Sequence, residues 1–385
     1  MEMSCSWIVW GVAAGLILAV VHFGGVYIRG GVSERSRAVE KRTISQPAQA
    51  SDEKTKDPTT EIIPLPDFDW RTTEPLKIRP FKPKYHLTMG LTNCPPSELI
   101  EIDKNYVDRL TLRKQIMQEH QSTVLQAQPI IQPAINELYT YLTSIYLPQR
   151  FPTIFQLSPG GQQLHNLATS CTLPLEPPAD PIQTLALLGA NLEDDFLFLL
   201  PADDGDGYVL RGFVTCFPSG FDTREKLGLK LREIHKPVPG YKEKLELSMD
   251  RFFDRLEVGR LVRRVNWSIT TTPTLFTPSG THLYTDSPLP PPLPLSPSSP
   301  SSPPIDINQT HLRCERQILH RLPQTKALVF SFKTYMYPIR QIKEEGLGEE
   351  LAEAIDGLRE GSVPRMYWYK RGVVWGEGVK EFLRS

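Results

Sequence analysis

The stretch from residue 207 to 270 constrains the fold most, because its hydrophobic period changes twice in a short distance. It reads GYVLRGFVTCFPSGFDTREKLGLKLREIHKPVPGYKEKLELSMDRFFDRLEVGRLVRRVNWSIT. Tyr208, Leu210, Val214 and Cys216 share one face of a run that ends at Cys216-Phe217-Pro218, the pattern of a half-buried strand. A basic linker follows and delivers His235, after which Pro237 and Pro239 restrict the backbone. Leu245, Met249, Phe252 and Leu256 then fall at helical spacing over 245–258, and Gly259 closes that helix. A second strand at 261–270 puts Leu261, Val265, Trp267 and Ile269 on one face and Arg264, Asn266 and Ser268 on the other. The order strand, presented loop, helix, strand is that of a binding site threaded through a sheet, with one imidazole held on a stiffened loop.

Other segments complete an α+β pattern with a largely antiparallel sheet. Residues 99–121 alternate charged and apolar positions in a helical manner. Ile131, Ile135, Leu138, Leu142 and Ile145 predict a helix over 131–147, with Pro133 in its first turn and Pro148 as its stop. Strands are expected at 195–200 and 327–337, and helices at 311–322 and 346–359. Residues 288–304 read PLPPPLPLSPSSPSSPP, a tract that cannot bury a core and reads as a solvated loop within 271–309.

The first residues carry a separate signal. Trp7 to Ile28 contains no acidic or basic side chain except His22, and at about 1.5 Å per residue it is long enough for a bilayer core of about 30 Å. Arg29, Arg35, Arg37, Lys41 and Arg42 follow it, so the positive-inside rule expects a single-pass anchor with the body of the chain in the cytosol. A poorly cleaved secretory signal is the alternative. The expected organisation is a tail at 1–6, a transmembrane anchor at 7–28, a stalk at 29–65, one domain at 66–372 and a C-terminal tail at 373–385. A net charge of −1 lends no support to a nucleic-acid partner. Five scattered cysteines without a CxxC pair argue for a reduced compartment and against a disulfide framework or a zinc site.

Four groups of side chains stand out chemically. His235 has Lys230, Arg232 and Lys236 nearby; a rigid imidazole beside basic groups suits an axial haem ligand with propionate partners, although a hydrogen-bonded loop histidine is the commoner explanation of such a residue. Glu193-Asp194-Asp195 precedes a buried strand, where carboxylates either cap backbone or, facing an apolar pocket, move protons. Arg264 and Asn266 form a polar row, either solvent-facing or functional. On the expected helix 311–322, His311 and Glu315 stand at i,i+4 with Arg313, Arg316 and His320 on an adjacent face, as surface pairing alone would produce. Motifs for dinucleotide, P-loop, kinase, GxSxG or HExxH chemistry do not occur in the sequence.

Seven segments, taken in order, resemble the α-subunit-like family of haem-dependent oxidative N-demethylases. They are YHLTMGL (85–91), IDKNYVDRL (102–110), LPQRFP (147–152), NLEDDFLFLL (191–200), FPSGF with EKLGLKLREIHKPVPGY (217–241), RFFDRLEVGRLVRRVNWSI (251–269) and LRCERQILHRLPQTKALVFSFKTYMYPI (312–339). The resemblance implies a PAS-like α+β fold that holds haem b and its iron. It implies oxidation of dimethylamine-type substrates with O₂ to a demethylated amine and formaldehyde, as a monooxygenase-type oxidoreductase. Electrons would come from NADPH through a separate flavin and iron–sulfur reductase acting in trans. Carried over, His235 becomes the proximal ligand, Arg264, Asn266 and Arg316 line the haem site, and Glu193 or Asp194 recognises the amine or delivers a proton. The expected anchor would place such an enzyme at the endoplasmic reticulum, beside its reductase. A haem-binding sensor or carrier without turnover, and a haem-free tethered binding module, are the alternatives.

Overall fold

In the computed structural model, residues 61–284 and 305–385 are described, all within one compact unit, Thr55–Ser385. Ten strands form among them: β1 (Thr92–Cys94), β2 (Leu125–Ala127), β3 (Phe155–Leu157), β4 (Gln163–Asn166), β5 (Cys171–Pro174), β6 (Asp195–Pro201), β7 (Tyr208–Val214), β8 (Leu261–Thr270), β9 (His311–Arg321) and β10 (Leu328–Pro338). Seven of them make one antiparallel sheet in the order β1-β8-β9-β10-β6-β7-β2, and β3, β4 and β5 make a small second sheet. The α+β reading and the strands expected at 195–200, 208–217, 261–270 and 327–337 are all present.

The segment expected to be a helix at 311–322 is instead β9, an interior strand of the large sheet. Its partners explain the reversal. β8 pairs with it from Val262↔Leu319 to Thr270↔His311, and β10 from Leu328↔Arg321 to Pro338↔His311. Local spacing that fits a charged helix also fits a strand with period two, and ladders on both sides decide between them. Arg313, Glu315 and Arg316 are therefore buried rather than paired on a surface.

The helix expected at 131–147 starts as a 3-10 turn at Pro129–Ile131, runs as α over Gln132–Tyr141, and widens to π at Leu142–Tyr146. It ends in Leu147–Arg150, so Pro148 does not stop it. A proline has no N–H to donate and crowds the preceding turn, and the π turn just before it removes that conflict. The expectations at 99–121, 245–258 and 346–359 correspond to helices Tyr106–Glu119, Glu246–Arg255 and Gly348–Glu360. Residues set apart as a C-terminal tail form the helix Gly372–Arg384, which buries Trp375, Val379 and Leu383.

The expectation of a membrane-spanning helix, and the membrane and endoplasmic-reticulum address drawn from it, is corrected. No helix among the described residues is long and apolar enough to cross a membrane. The run at 7–28 that suggested the anchor lies outside the described residues, as does the proline-rich tract.

Two apolar cores pack against the sheet. Phe196, Phe198 and Val214 pack with Tyr106, Ile135, Leu138, Leu185 and Leu188 from three helices in one core. Trp267, Cys314, Tyr335 and Tyr337 pack with Ile355, Leu358, Trp375 and Val379 in the other. Each buried side chain of this size contributes about 1.5–3 kcal/mol. Strand alternation gives the two faces of β8–β10 different tasks. Arg264, Asn266, Glu315, Gln317 and Phe332 take one face, and Val265, Arg316 and Lys333 the other.

Candidate functional site

The first face carries a cavity of about 300 Å³, at the lower end of small-molecule sites. Its floor is sheet: Leu197, Leu199, Val262, Leu319, Phe330 and Phe332. Its roof is the segment that the sequence singled out, with Phe221, Leu231, Ile234, His235, Val238 and Tyr241, and helix residues Leu245, Met249 and Phe253.

Asp195 fixes the start of that roof. Its carboxylate accepts from the backbone N–H groups of Cys216 and Phe217, both at 2.8 Å, and from Arg113 at 2.6 Å. Arg313 fixes the next turn by donating to the carbonyls of Phe217 (2.6 Å), Pro218 (3.2 Å) and Leu275 (3.1 Å). Gly220 follows with φ +75°, and a Cβ there would lie 2.0 Å from Thr281 Oγ1 and 2.4 Å from His282 Nδ1. Only glycine lets the His282 loop pass so close.

His235 ends a short helix, Leu231–His235, and is not on the loop. Its Nδ1 bonds the Leu231 carbonyl at 2.8 Å, and its ring stacks on Tyr241 at 4.9 Å and 16°. A carbonyl partner makes Nδ1 the protonated nitrogen and leaves Nε2 with its lone pair and no protein partner among the described residues. Burial lowers the pKa of His235 to about 4, so the ring is neutral at ordinary pH. His282 lines the same cavity, packs on Tyr369 at 4.4 Å, and is pushed down to about 3 by burial.

The cavity's polar ledge comes from β8 and β9. Asn266 Nδ2 donates to Glu315 Oε2 at 3.3 Å, Gln317 Nε2 donates to the same oxygen at 2.9 Å, and Lys370 Nζ donates to Asn266 Oδ1 at 3.2 Å and to the Trp267 carbonyl. Burial lowers the Lys370 pKa to about 8, and the neighbouring Arg264 charge adds to the effect. Arg264 makes no hydrogen bond among the described residues, its Nε is buried without a partner, and burial lowers its pKa. Lys226 stands at the cavity too, 5.1 Å over the Phe221 ring.

The structure thus brings together His235, Arg264 and Asn266 and leaves the other expected site residues elsewhere. Arg316 alternates to the opposite face and donates to the Glu98 carbonyl, with the Glu98 and Glu101 carboxylates at 3.8 Å. Glu193 is also there, in a 2.8 Å ion pair with Lys333, which holds Asp103 at 2.8 Å as well. Asp194 is fully buried, with Oδ2 unpartnered and its pKa raised to about 7 by burial. Neither carboxylate lines the cavity.

Sequence reasoning missed His282, Glu315, Tyr369 and Lys370. His282 lay within the region read as an inserted loop. Glu315 was assigned to a helix, and period two along 311–321 was the signal that would have placed it. Tyr369 and Lys370 lie just before the presumed tail and carry no local motif.

The lining suits a haem: a neutral imidazole with Nδ1 held by a carbonyl and Nε2 without a partner among the described residues, apolar walls, and the cations Arg264 and Lys226, which form no ion pair among the described residues, for carboxylate side groups. The model of one protein family, described as haem-dependent oxidative N-demethylase, alpha subunit-like, matches residues 90–380, which include the whole sheet from β1 to β10 and every residue of this ledge, and the chain belongs to that family.

Proposed function

We propose that the chain is an oxidoreductase that binds haem b in the cavity and removes an N-methyl group from a small secondary or tertiary amine. The observation that carries this reading is His235, an imidazole kept neutral by burial, oriented by the Leu231 carbonyl, and presenting Nε2 to an apolar cavity. When bound, haem supplies the O₂ and one-electron chemistry that no side chain can. His235 holds the iron, and Arg264 and Lys226 pair the propionates. Glu315 is the one carboxylate among the described residues that line the cavity, and it takes the amine-recognition role that the sequence suggested for Glu193 or Asp194. Asn266 and Gln317 orient Glu315 by donating to its Oε2, so the carboxylate is fixed before substrate arrives. Lys370, lowered to about 8, is a proton donor within reach of Asn266. Reduction is assigned to a separate NADPH-linked flavin and iron–sulfur partner.

Expressing the chain with haem supply, beside His235→Ala, tests the assignment by absorption spectroscopy. A stoichiometric Soret band, lost or shifted in the variant, is expected. A folded protein without any band overturns the proposal, and a band unchanged by the substitution removes His235 from its role.

A further inference from the structure

A second cavity, of about 230 Å³, opens on the face of β10 that carries Lys333 and Tyr335. Its rim charges pair off: Lys104 with Glu74 at 2.7 Å, and Lys77 with Glu345 at 3.4 Å. Inside, Lys333 spends all three ammonium hydrogens on Asp103 Oδ2 (2.8 Å), Glu193 Oε1 (2.8 Å) and the Glu101 carbonyl (3.0 Å). Two carboxylates on one ammonium leave one negative charge, and Arg109, within electrostatic reach of both, balances it.

Three groups in this cavity are left with capacity to bind. The Arg109 guanidinium makes no hydrogen bond or ion pair among the described residues and lies 5.8 Å from the centroid of the Phe217 ring. Glu193 Oε2 takes no hydrogen bond from the described residues, its ion pair being through Oε1. Tyr335, 3% exposed, has its hydroxyl buried without a partner. The interior is therefore neutral overall but dipolar, with donors on one side and a carboxylate on the other.

We propose that this cavity binds a small amino-acid zwitterion. Its carboxylate is received by the fork of Arg109 and the Tyr335 hydroxyl, and its ammonium group by Glu193 Oε2. A lone anion would meet the carboxylates of Glu193 and Asp103, and a lone cation would meet Arg109, so neither half is accommodated as well as the two joined. The site is separate from the haem cavity and does not depend on that reading.

Titration calorimetry on the full chain with glycine tests it, with acetate and methylammonium as the separated halves at matched ionic strength. Glycine is expected to bind at least tenfold more tightly than either half. Arg109→Gln is expected to weaken glycine at least tenfold, and Tyr335→Phe about fivefold while leaving the unliganded unfolding temperature unchanged. Glycine binding no tighter than acetate, or retained in Arg109→Gln, overturns the proposal. Because Tyr335→Phe keeps the packing, it decides the matter even if Arg109→Gln does not fold.

Discussion

The two faces of the same three strands treat charge in opposite ways. On the face of Arg316 and Lys333, buried cations meet carboxylates from one short segment, Glu98, Glu101 and Asp103, together with Glu193. On the other face, Arg264 is half-buried, with its Nε buried and without a hydrogen-bond partner among the described residues, and Lys370 lies beside it with a lowered pKa. An unpaired buried charge costs several kcal/mol, so a fold tolerates one mainly where something outside the chain will pair it. Arg316 and Lys333 are held by the fold's own carboxylates, whereas Arg264 is left for the ligand proposed in its cavity. That contrast, more than any motif, separates Arg316 from Arg264, which look alike in sequence.

The contrast can be broken most severely at Lys333. Lys333→Met leaves Asp103 and Glu193 buried without their cation and is expected to destabilise the chain by about 3–5 kcal/mol in urea unfolding. If stability holds within about 1 kcal/mol, the Lys333 cluster is not structural. Glu315→Gln probes the opposite face. It keeps the ledge's shape and removes a charged acceptor, so amine turnover should fall ten- to hundredfold with the haem spectrum unchanged. Unaltered turnover would place amine recognition elsewhere.

Arg264→Gln sharpens the comparison at smaller cost. Haem should dissociate about tenfold faster, as a lost charge-assisted contact of about 1.4 kcal/mol implies, while the haem-free chain becomes no less stable. A marked loss of haem-free stability would show that Arg264 has a structural partner after all.

His320 is the exception on the paired face. Both ring nitrogens are buried without partners, and burial lowers its pKa to about 4. The unfolded chain, with an ordinary histidine near 6.5, binds a proton between pH 6.5 and 4 that the folded chain does not. Stability on this account falls as pH drops through that window. His320→Met removes the term, so its stability relative to the parent should rise by about 1–2 kcal/mol between pH 7 and pH 5. A difference independent of pH would mean that His320 acquires a partner in solution.

How far the site was legible depended on where its parts lie along the chain. His235, Arg264 and Asn266 come from one contiguous stretch, 207–270, whose local pattern already orders strand, presented histidine, helix and strand. The Glu193-Asp194-Asp195 run was visible as a carboxylate cluster, yet its use was not. Asp195 holds two backbone N–H groups of a loop that starts at Cys216, and Glu193 reaches Lys333 on another strand. Glu315 was placed on the wrong element, because a charged i,i+4 spacing carries no trace of the two ladders that make it a strand.

The sequence by itself determined the α+β class, the alternation of β8 that presents Arg264 and Asn266 together, and membership of the haem-dependent oxidative N-demethylase alpha subunit-like family. Local periodicity and turn residues act between neighbours in the chain, so they survive in one dimension. Only the tertiary structure decided that β9 is an interior strand, that Arg316 and Glu193 face away from the cavity, and that His282, Glu315 and Lys370 face into it. Those outcomes follow from strand pairing and burial between residues as far apart as Asn266 and Lys370, where desolvation sets which charges are paired and which wait for a ligand.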